Sequence, residues 1–229
     1  MAWTEVGSGT QRATATHNNA TSGTLAFPGS VTSGSLLVVA GANWQATLPS
    51  TISVTDTLST SYSVVQVDNA SYSGFIAYGV ASSGGANTVT VDPTQTGNYF
   101  SFSIDEFSGP HATPLDVDGG SSSGNSTAPL DAITTSTAND LIIGLMFHID
   151  SVSDTLSPGS GYTQIGEQEN NSTSQCHNAE FKIVTTATSY NVDWSTGSSR
   201  QWVAMTMAFK PSIASPKGLI MLLGNGGFL

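Results

Sequence analysis

Charged side chains are scarce in this sequence, and positive ones are the scarcest. They make up 9% of its 229 residues, with 5 Lys or Arg against 16 Asp or Glu, which gives a formal net charge of −11. Proteins bind polyanions through clustered cations that displace counterions, so the composition argues against nucleic acid and against an anionic membrane surface as partners. Long surface helices also depend on Glu, Lys and Arg, so we predict that helix is a minor element.

Cysteine is nearly absent. Cys176 is the single cysteine, so no intrachain disulfide can form and the fold must depend on packing. Its neighbour is His177, and a Cys–His pair can produce a reactive thiolate, but nothing nearby in the sequence resembles a third, orienting residue or an oxyanion loop. We therefore interpret Cys176 as a partly buried structural thiol.

Motifs for catalysis and cofactor binding are also missing. The 4 histidines have no ligand-like spacing, and the sequence contains no nucleophile elbow, phosphate-binding loop or dinucleotide-binding turn. We predict that the protein is not an enzyme and that it binds no metal and no cofactor.

Two acidic groups nevertheless need a specific interpretation. Asp105 and Glu106 are adjacent on a predicted strand, where neighbouring side chains point to opposite faces, so they cannot act as an acid–base pair on one bond. Asp116 and Asp118 resemble the start of a calcium loop, but position 12 of that loop is not acidic. A looser loop site that uses Asp116, Asp118 and Asp131 stays open as an alternative.

The sequence gives no sign of a targeting or membrane segment. Its first residues, MAWTEVGSGT, include neither the basic nor the apolar stretch of a secretory signal. The apolar run near the C terminus, Leu219–Leu223, is far shorter than the roughly 20 residues that span a bilayer. We expect a protein that is made in the host cytoplasm and is not inserted in a membrane.

Ser and Thr dominate what the sequence does contain. They number 63, and together with β-branched residues they are typical of strands joined by polar turns. Leu36–Ala40 is a continuous apolar run, as expected for a strand that is covered on both faces. Residues 99–104 alternate instead, like a strand with one wet face, which places Phe100, Phe102 and Ile104 together on the other face.

The sequence also contains a weak internal repeat. Five segments of the first half recur in the same order in the second half, at offsets between 98 and 106, which is improbable by chance. The matched segments are SLLVVAGANW with DLIIGLMFHI, TDTLSTSYSVV with SDTLSPGSGYTQI, GFIAYGV with EFKIVTT at an offset of 106, NTVTVD with SYNVDW, and FSFSIDEFSG with WVAMTMAFKP at an offset of 102.

The two halves predict an antiparallel, all-β fold. Each half supplies about four strands, and a single sheet of that size would leave one face exposed, so two such sheets packed face to face would form a β-sandwich or jelly roll of about eight or more strands. This body would cover residues 1–211, with pseudo-repeats at about 31–109 and 133–211. The alternative is two tandem sandwiches with the break in residues 118–132.

Aromatic residues raise a second class of function. Sugars stack on exposed Trp and Tyr side chains, so Trp3, Trp44, Trp194 and Trp202 make a surface glycan or a host receptor an alternative partner. Packing in the core or at its rim explains the positions of these residues equally well. The alternative function is therefore adhesion through a carbohydrate-binding module.

Several strand segments resemble a known group of proteins. SGSLLVVA, GGANTVTV, IDEFSGP, ANDLIIG and AFKP are similar to recurring segments of Ser/Thr/Gly-rich β-sandwich structural proteins of tailed-phage virions and of related bacterial surface modules. The resemblance covers roughly residues 30–211. It implies a structural or adhesive role, such as a capsid decoration, head-fibre or tail-associated protein, with no catalytic residues to transfer. It also implies an oligomer, for which a trimer is one form.

The C-terminal segment is the main candidate for partner binding. We expect the final strand to end at Pro211 and residues 212–229 to form a linker and an apolar attachment tail. Exposed apolar runs favour aggregation unless they are covered, so we predict that the tail packs against another copy of the chain or against other virion proteins. The predicted partner-binding residues are Leu219, Ile220, Met221, Leu222, Leu223, Phe228 and Leu229. The predicted function is that of a bacteriophage structural protein in the virion, acting by assembly rather than by catalysis.

Overall fold

The chain folds almost entirely into β-strands. Within the residues that the structure describes there are 17 strands and one short 3-10 helix, Val6–Gly9, and every strand pair is antiparallel. The prediction of an antiparallel, all-β fold is confirmed. The structure is a computed structural model, and it describes residues 2–44, 51–69, 72–95, 98–148, 155–168 and 176–212.

The first half of the chain forms one large and one small sheet. The large sheet has the order β1-β9-β4-β7-β6, with β2 also paired to β9, and the small sheet has the order β3-β8-β5. The strands are β1 (Thr4–Glu5), β2 (Ala13–Ala20), β3 (Gly23–Ala26), β4 (Leu36–Trp44), β5 (Ser53–Asp56), β6 (Ser63–Asn69), β7 (Tyr72–Val80), β8 (Thr88–Asp92) and β9 (Asn98–Ser108).

The second half repeats this arrangement. Its large sheet has the order β10-β17-β12-β15-β14, and its small sheet has the order β11-β16-β13. The strands are β10 (Pro110–Ser126), β11 (Leu130–Thr134), β12 (Leu141–His148), β13 (Leu156–Pro158), β14 (Thr163–Gln168), β15 (Cys176–Ile183), β16 (Ser189–Thr196) and β17 (Arg200–Pro211).

Equivalent backbone hydrogen bonds occur in the two halves. The Ala81 N–H donates to the Ser35 carbonyl at 2.8 Å, and the Val184 N–H donates to the Asp140 carbonyl at 2.9 Å. Each bond joins the residue before the first central strand of a half to the residue that follows β7 or β15, respectively.

The alignment of GFIAYGV with EFKIVTT is in the wrong register. Leu36 pairs with Val80 in the first half and the equivalent Leu141 pairs with Ile183 in the second, which sets the offset between β7 and β15 at 103 rather than 106. Side chains alternate between the faces of a strand, so an error of three residues assigns each residue to the wrong face. Ile76 is therefore the counterpart of Ala179, and both belong to the same core.

Three hydrophobic cores lie between four layers of sheet. One core lies between the small and large sheets of the first half, and another occupies the same position in the second half. The third, which we call the central core, lies between the two large sheets; it includes Leu36, Val38 and Ala40 of β4 and Leu141, Ile143 and Leu145 of β12. The large sheets of the two halves thus pack face to face, and the strand number exceeds eight because each half adds a three-stranded sheet outside.

This layering explains the continuous apolar runs in the sequence. The large sheets are covered on both faces, and every residue of β12 and all but the last of β4 are buried. A strand that is buried on both faces has no polar side to alternate with. The prediction of a doubly covered strand at Leu36–Ala40 is confirmed.

The polar segment between the halves is a strand. The alternative arrangement places its break in residues 118–132, but β10 covers residues 118–126 of that segment and pairs with β17. The sequence of this segment resembles a linker because β10 is an edge strand with mostly exposed or half-exposed side chains, so it carries little apolar signal. A bulge between Asp118 and Gly120 interrupts its register, and Gly120 has a φ of 79°, which favours glycine.

Candidate functional site

In the central core, strand β9 of the first half carries polar side chains where the equivalent strand β17 of the second half carries apolar ones. The face of β17 that lines this core carries Val203, Met205 and Met207. Leu36 pairs with Phe107 and Leu141 pairs with Phe209, so the equivalent positions of β9 are 101, 103 and 105. These positions are occupied by Ser101, Ser103 and Asp105, all of which are fully buried. The first half therefore presents polar groups where the second half presents apolar ones.

His177 of the second half meets these serines across the interface. Ser101 Oγ lies 2.7 Å from His177 Nδ1, and Ser103 Oγ lies 2.8 Å from His177 Nε2. Ser103 Oγ is also 2.9 Å from Thr14 Oγ1 on the neighbouring strand β2. We call Thr14, Ser101, Ser103 and His177 the Ser–His cluster. It hydrogen-bonds the two large sheets to each other across the central core.

The electrostatics of the cluster keep His177 neutral. Complete burial lowers the pKa of His177 to about 3, because a charged imidazolium would lose its hydration there. A neutral imidazole has one N–H and one bare nitrogen, so one serine accepts a hydrogen bond from the ring and the other donates one to it. Both ring nitrogens are thus satisfied by hydroxyl groups.

A serine beside a histidine is also the arrangement of nucleophilic catalysis, in which the ring accepts the hydroxyl proton. Here Ser101, Ser103 and His177 are all fully buried, and both ring nitrogens are occupied. A substrate cannot reach either hydroxyl without separating the two sheets. The geometry suits a fixed hydrogen-bonded connection rather than a reaction centre.

Gly166 closes the cluster from the side of β14. A bulge between Gln164 and Gly166 alters the register of β14 against β15. A Cβ atom at position 166 would overlap the hydroxyl groups of Ser103 and Thr14. Only glycine allows the backbone of β14 to approach this closely.

A second buried polar group lies next to the cluster on the same face of β9. Arg12 Nε donates to Asp105 Oδ2 at 3.1 Å, and Arg12 also pairs with Glu5. The guanidinium carbon lies 5.3 Å from the ring centroid of Phe181, which belongs to the second half. Burial, followed by the charge of Glu5, raises the pKa of Asp105 to about 8, against the opposing effect of Arg12.

Glu106 points away from Asp105. Its Oε1 accepts a hydrogen bond from the Thr32 N–H at 2.8 Å, which ties the loop before β4 to the end of β9. The two adjacent acids therefore lie on opposite faces of the strand, as the alternation predicts. Each has a separate partner within the fold.

The three aspartates of the looser calcium loop have separate partners as well. Asp116 accepts hydrogen bonds from the Ser136 N–H and from the hydroxyls of Ser136 and Thr137, at 2.6–2.7 Å. Asp118 accepts from the Gly120 N–H, and Asp131 accepts from the Thr206 hydroxyl, both at 3.0 Å. Within the part of the chain that the structure describes, no group of three or more His, Cys, Asp or Glu side chains is placed to hold a metal ion.

Asp140 forms a carboxyl pair with Asp116. Its side chain is fully buried, and neither oxygen has an N–H or hydroxyl donor among the described residues. Burial and then the hydrogen bond and charge of Asp116 raise the pKa of Asp140 to about 7. Burial opposes ionisation of Asp116, but the hydrogen bonds from Ser136 and Thr137 outweigh it and lower the pKa of Asp116. A protonated Asp140 can donate a further hydrogen bond that acts in the same direction.

Cys176 and His177 do not act together. Cys176 is fully buried in the core of the second half, whereas His177 on the next position faces the central core. Adjacent residues of a strand point to opposite faces, so the thiol and the imidazole are separated by the sheet itself. The interpretation of Cys176 as a structural thiol agrees with its burial.

Most tryptophans lie in the cores. Trp3 is buried and its indole N–H donates to the Phe209 carbonyl at 3.2 Å, while Trp194 and Trp202 are buried in the core of the second half. Trp44 is half-buried at the end of β4, where its ring centroid lies 5.5 Å from that of Tyr99. Among the described tryptophans, only Trp44 has part of its surface available for stacking on a ligand.

The Ser–His cluster was not found from the sequence. The alternation at residues 99–104 marks the face of Phe100 as buried and leaves the serine face as the wet one. The internal repeat holds the missing signal, because the equivalent face of β17 carries Val203, Met205 and Met207. An apolar face at one member of a repeat indicates that the same face of the other member is also covered.

The predicted partner-binding residues, Leu219–Leu223, Phe228 and Leu229, lie outside the described residues. In the ranges that are described, no helix has the length and apolar character needed to cross a membrane. No family model, no curated protein and no solved structure matches the chain.

Proposed function

We propose that the protein is a structural protein of a bacteriophage virion that acts by assembly. The observation that carries this proposal is the burial of Ser101, Ser103 and His177 between the two large sheets. These groups have the chemistry of a reaction centre, yet they are sealed in the central core and join its two sheets. A body held by three cores and by hydrogen bonds across the central one resists relative movement of its layers, which suits a component that must keep its shape.

Two further features support a virion setting. The strand segments of residues 30–211 resemble those of tailed-phage structural proteins such as capsid decorations, head fibres and tail-associated proteins. The apolar C-terminal segment would supply the attachment, because five consecutive large apolar side chains are costly to leave in water. In this proposal the β body is displayed, and the tail joins it to other copies or to other virion proteins.

Removal of residues 216–229 tests the proposal. We expect the truncated chain to keep its β-sheet circular dichroism and its cooperative unfolding, but to lose self-association and co-purification with capsid or tail components. A control of full length, in which Leu219–Leu223 is replaced by alternating Ser and Gly, separates loss of the apolar side chains from loss of chain length. Unfolding of the truncated chain, or assembly that the deletion does not change, would contradict the proposal.

A further inference from the structure

A shallow groove lies where the edges of the two halves meet. It has a volume of about 300 Å³, and its walls are Ser63 and Tyr78 of the first half and residues 112–115 of β10. The Tyr78 ring packs edge-on against Phe209 of β17, with ring centroids 4.9 Å apart. Leu115 is the strand partner of Phe209. The groove therefore lies beside the last residues of β17.

One wall of the groove is a distortion of the edge strand. Pro110 pairs with Pro211 and Leu115 pairs with Phe209, so the four residues 111–114 of β10 lie opposite the single residue Lys210 and bulge from the ladder. Tyr78 and Leu115 are only partly buried at the rim of the central core. The groove thus offers apolar surface that is continuous with the central core.

The chain leaves the body next to this groove. The Ser212 N–H donates to the Gly109 carbonyl at 2.7 Å, which fixes the end of the described chain beside the start of β10. Residues 213–229 follow, and they contain the apolar run Leu219–Leu223. An extended chain covers about 3.3 Å per residue, so residues 213–218 reach roughly 20 Å from Ser212.

We propose that this groove receives the apolar run Leu219–Leu223 of a second copy of the chain. This inference rests on the proposed assembly role and names the surface that the tail binds. The chain leaves the body beside the groove, so one patch of surface can both donate the apolar run and accept the run of another copy. Reciprocal exchange between two copies through this patch gives a closed assembly. The sequence of the link includes Pro211 and Pro216, and a residue before proline favours extended backbone, so we expect the run to reach a second copy rather than to turn back.

Cysteine cross-linking identifies the donor and the acceptor. Ala112→Cys places a thiol on the groove wall of one chain, and Leu222→Cys places a thiol in the run of another; native Cys176 is fully buried. After the two variants are mixed and mildly oxidised, we expect a disulfide between the two chains. Ala132→Cys, at an exposed position on β11, is the matched control and should not cross-link to Leu222→Cys. A disulfide within one chain of the Ala112→Cys/Leu222→Cys double variant at high dilution, without any between chains, would overturn the proposal in favour of a tail that folds back.

Sedimentation velocity supplies the second measurement. Ala112→Arg adds a large cation to the apolar groove and should weaken self-association at least about tenfold, whereas Ala132→Arg should leave it unchanged. Circular dichroism checks that both variants stay folded. If the 216–229 deletion abolishes assembly but Ala112→Arg does not, the groove is wrong while the proposed function stands. If neither change affects assembly, both proposals fail.

Discussion

Removing either serine of the Ser–His cluster should destabilise the protein more than an ordinary serine substitution does. Ser101→Ala leaves His177 Nδ1 without a partner, and Ser103→Ala does the same for Nε2 and also frees Thr14 Oγ1. A buried polar group that loses its only partner costs about 1–3 kcal/mol. We expect each variant to lower the free energy of unfolding by that amount, and the double variant to show non-additivity because both serines share His177.

Urea unfolding at pH 7, followed by circular dichroism, measures these differences. Ser108→Ala is the matched control, because Ser108 lies at the end of the same strand, is half-exposed, and donates its hydroxyl to the Thr4 carbonyl at 3.1 Å. Its cost should stay within about 0.5 kcal/mol. Equal costs for Ser101→Ala, Ser103→Ala and Ser108→Ala would refute the role given to the cluster.

The pH dependence provides an independent check on the same cluster. The pKa of His177 is about 3 in the folded protein against 6.5 ordinarily, so the unfolded chain takes up a proton first as the pH falls. The stability contributed by neutral His177 is therefore complete above pH 6.5 and is lost between pH 6.5 and 3, by up to about 5 kcal/mol. His177→Gln, which keeps a donor and an acceptor but does not titrate, should reduce this loss. A His177 ring that titrates near pH 6.5 in NMR spectra would show that the reasoning is wrong.

Two further predictions concern the buried carboxyl group of Asp140 and the packing of the central core. The pKa of Asp140 is about 7 in the folded protein against 3.8 ordinarily, so the unfolded chain loses its proton first and stability falls as the pH rises from 3.8 to 7. Asp140→Asn should be more stable than the native chain at pH 8, by on the order of 2–4 kcal/mol, and nearly equal to it at pH 4; thermal unfolding at both pH values tests this, and Asp118→Asn on the exposed edge serves as the control. In the core, a Cβ atom at Gly74 would overlap the ring of Phe147, so Gly74→Ala should cost about 1–3 kcal/mol in urea unfolding. Phe147→Leu in the same chain should recover part of that loss, and no recovery would mean that the Phe147 contact is not the cause.

Local periodicity and the internal repeat were enough to determine the fold class. The continuous apolar run at Leu36–Ala40 indicates a strand covered on both faces, and its recurrence at Leu141–Leu145 indicates a second one. The shared order of segments then predicts two similar halves. These features depend on residues that are close in sequence or on a direct comparison of two segments, so they can be recognised without knowledge of the contacts.

The outer sheets and the edge strand were harder to predict. β3, β5, β11 and β13 have only 3–5 residues each, which is too short for a clear alternation. The serine- and glycine-rich β10 has one neighbour and an exposed edge, so little in its composition distinguishes it from a loop. Both kinds of strand form because a neighbouring strand supplies the hydrogen bonds.

Tertiary structure alone decided which side chains meet. The sequence determined that Phe100 and Ser101 lie on opposite faces of a strand, but not that both faces are buried. His177 lies 76 residues from Ser101 in the chain, and the two meet only because the large sheets of both halves pack against each other. Strand alternation is a property of the local backbone, whereas the burial of a face depends on the layer that packs on it, and that layer comes from distant parts of the chain.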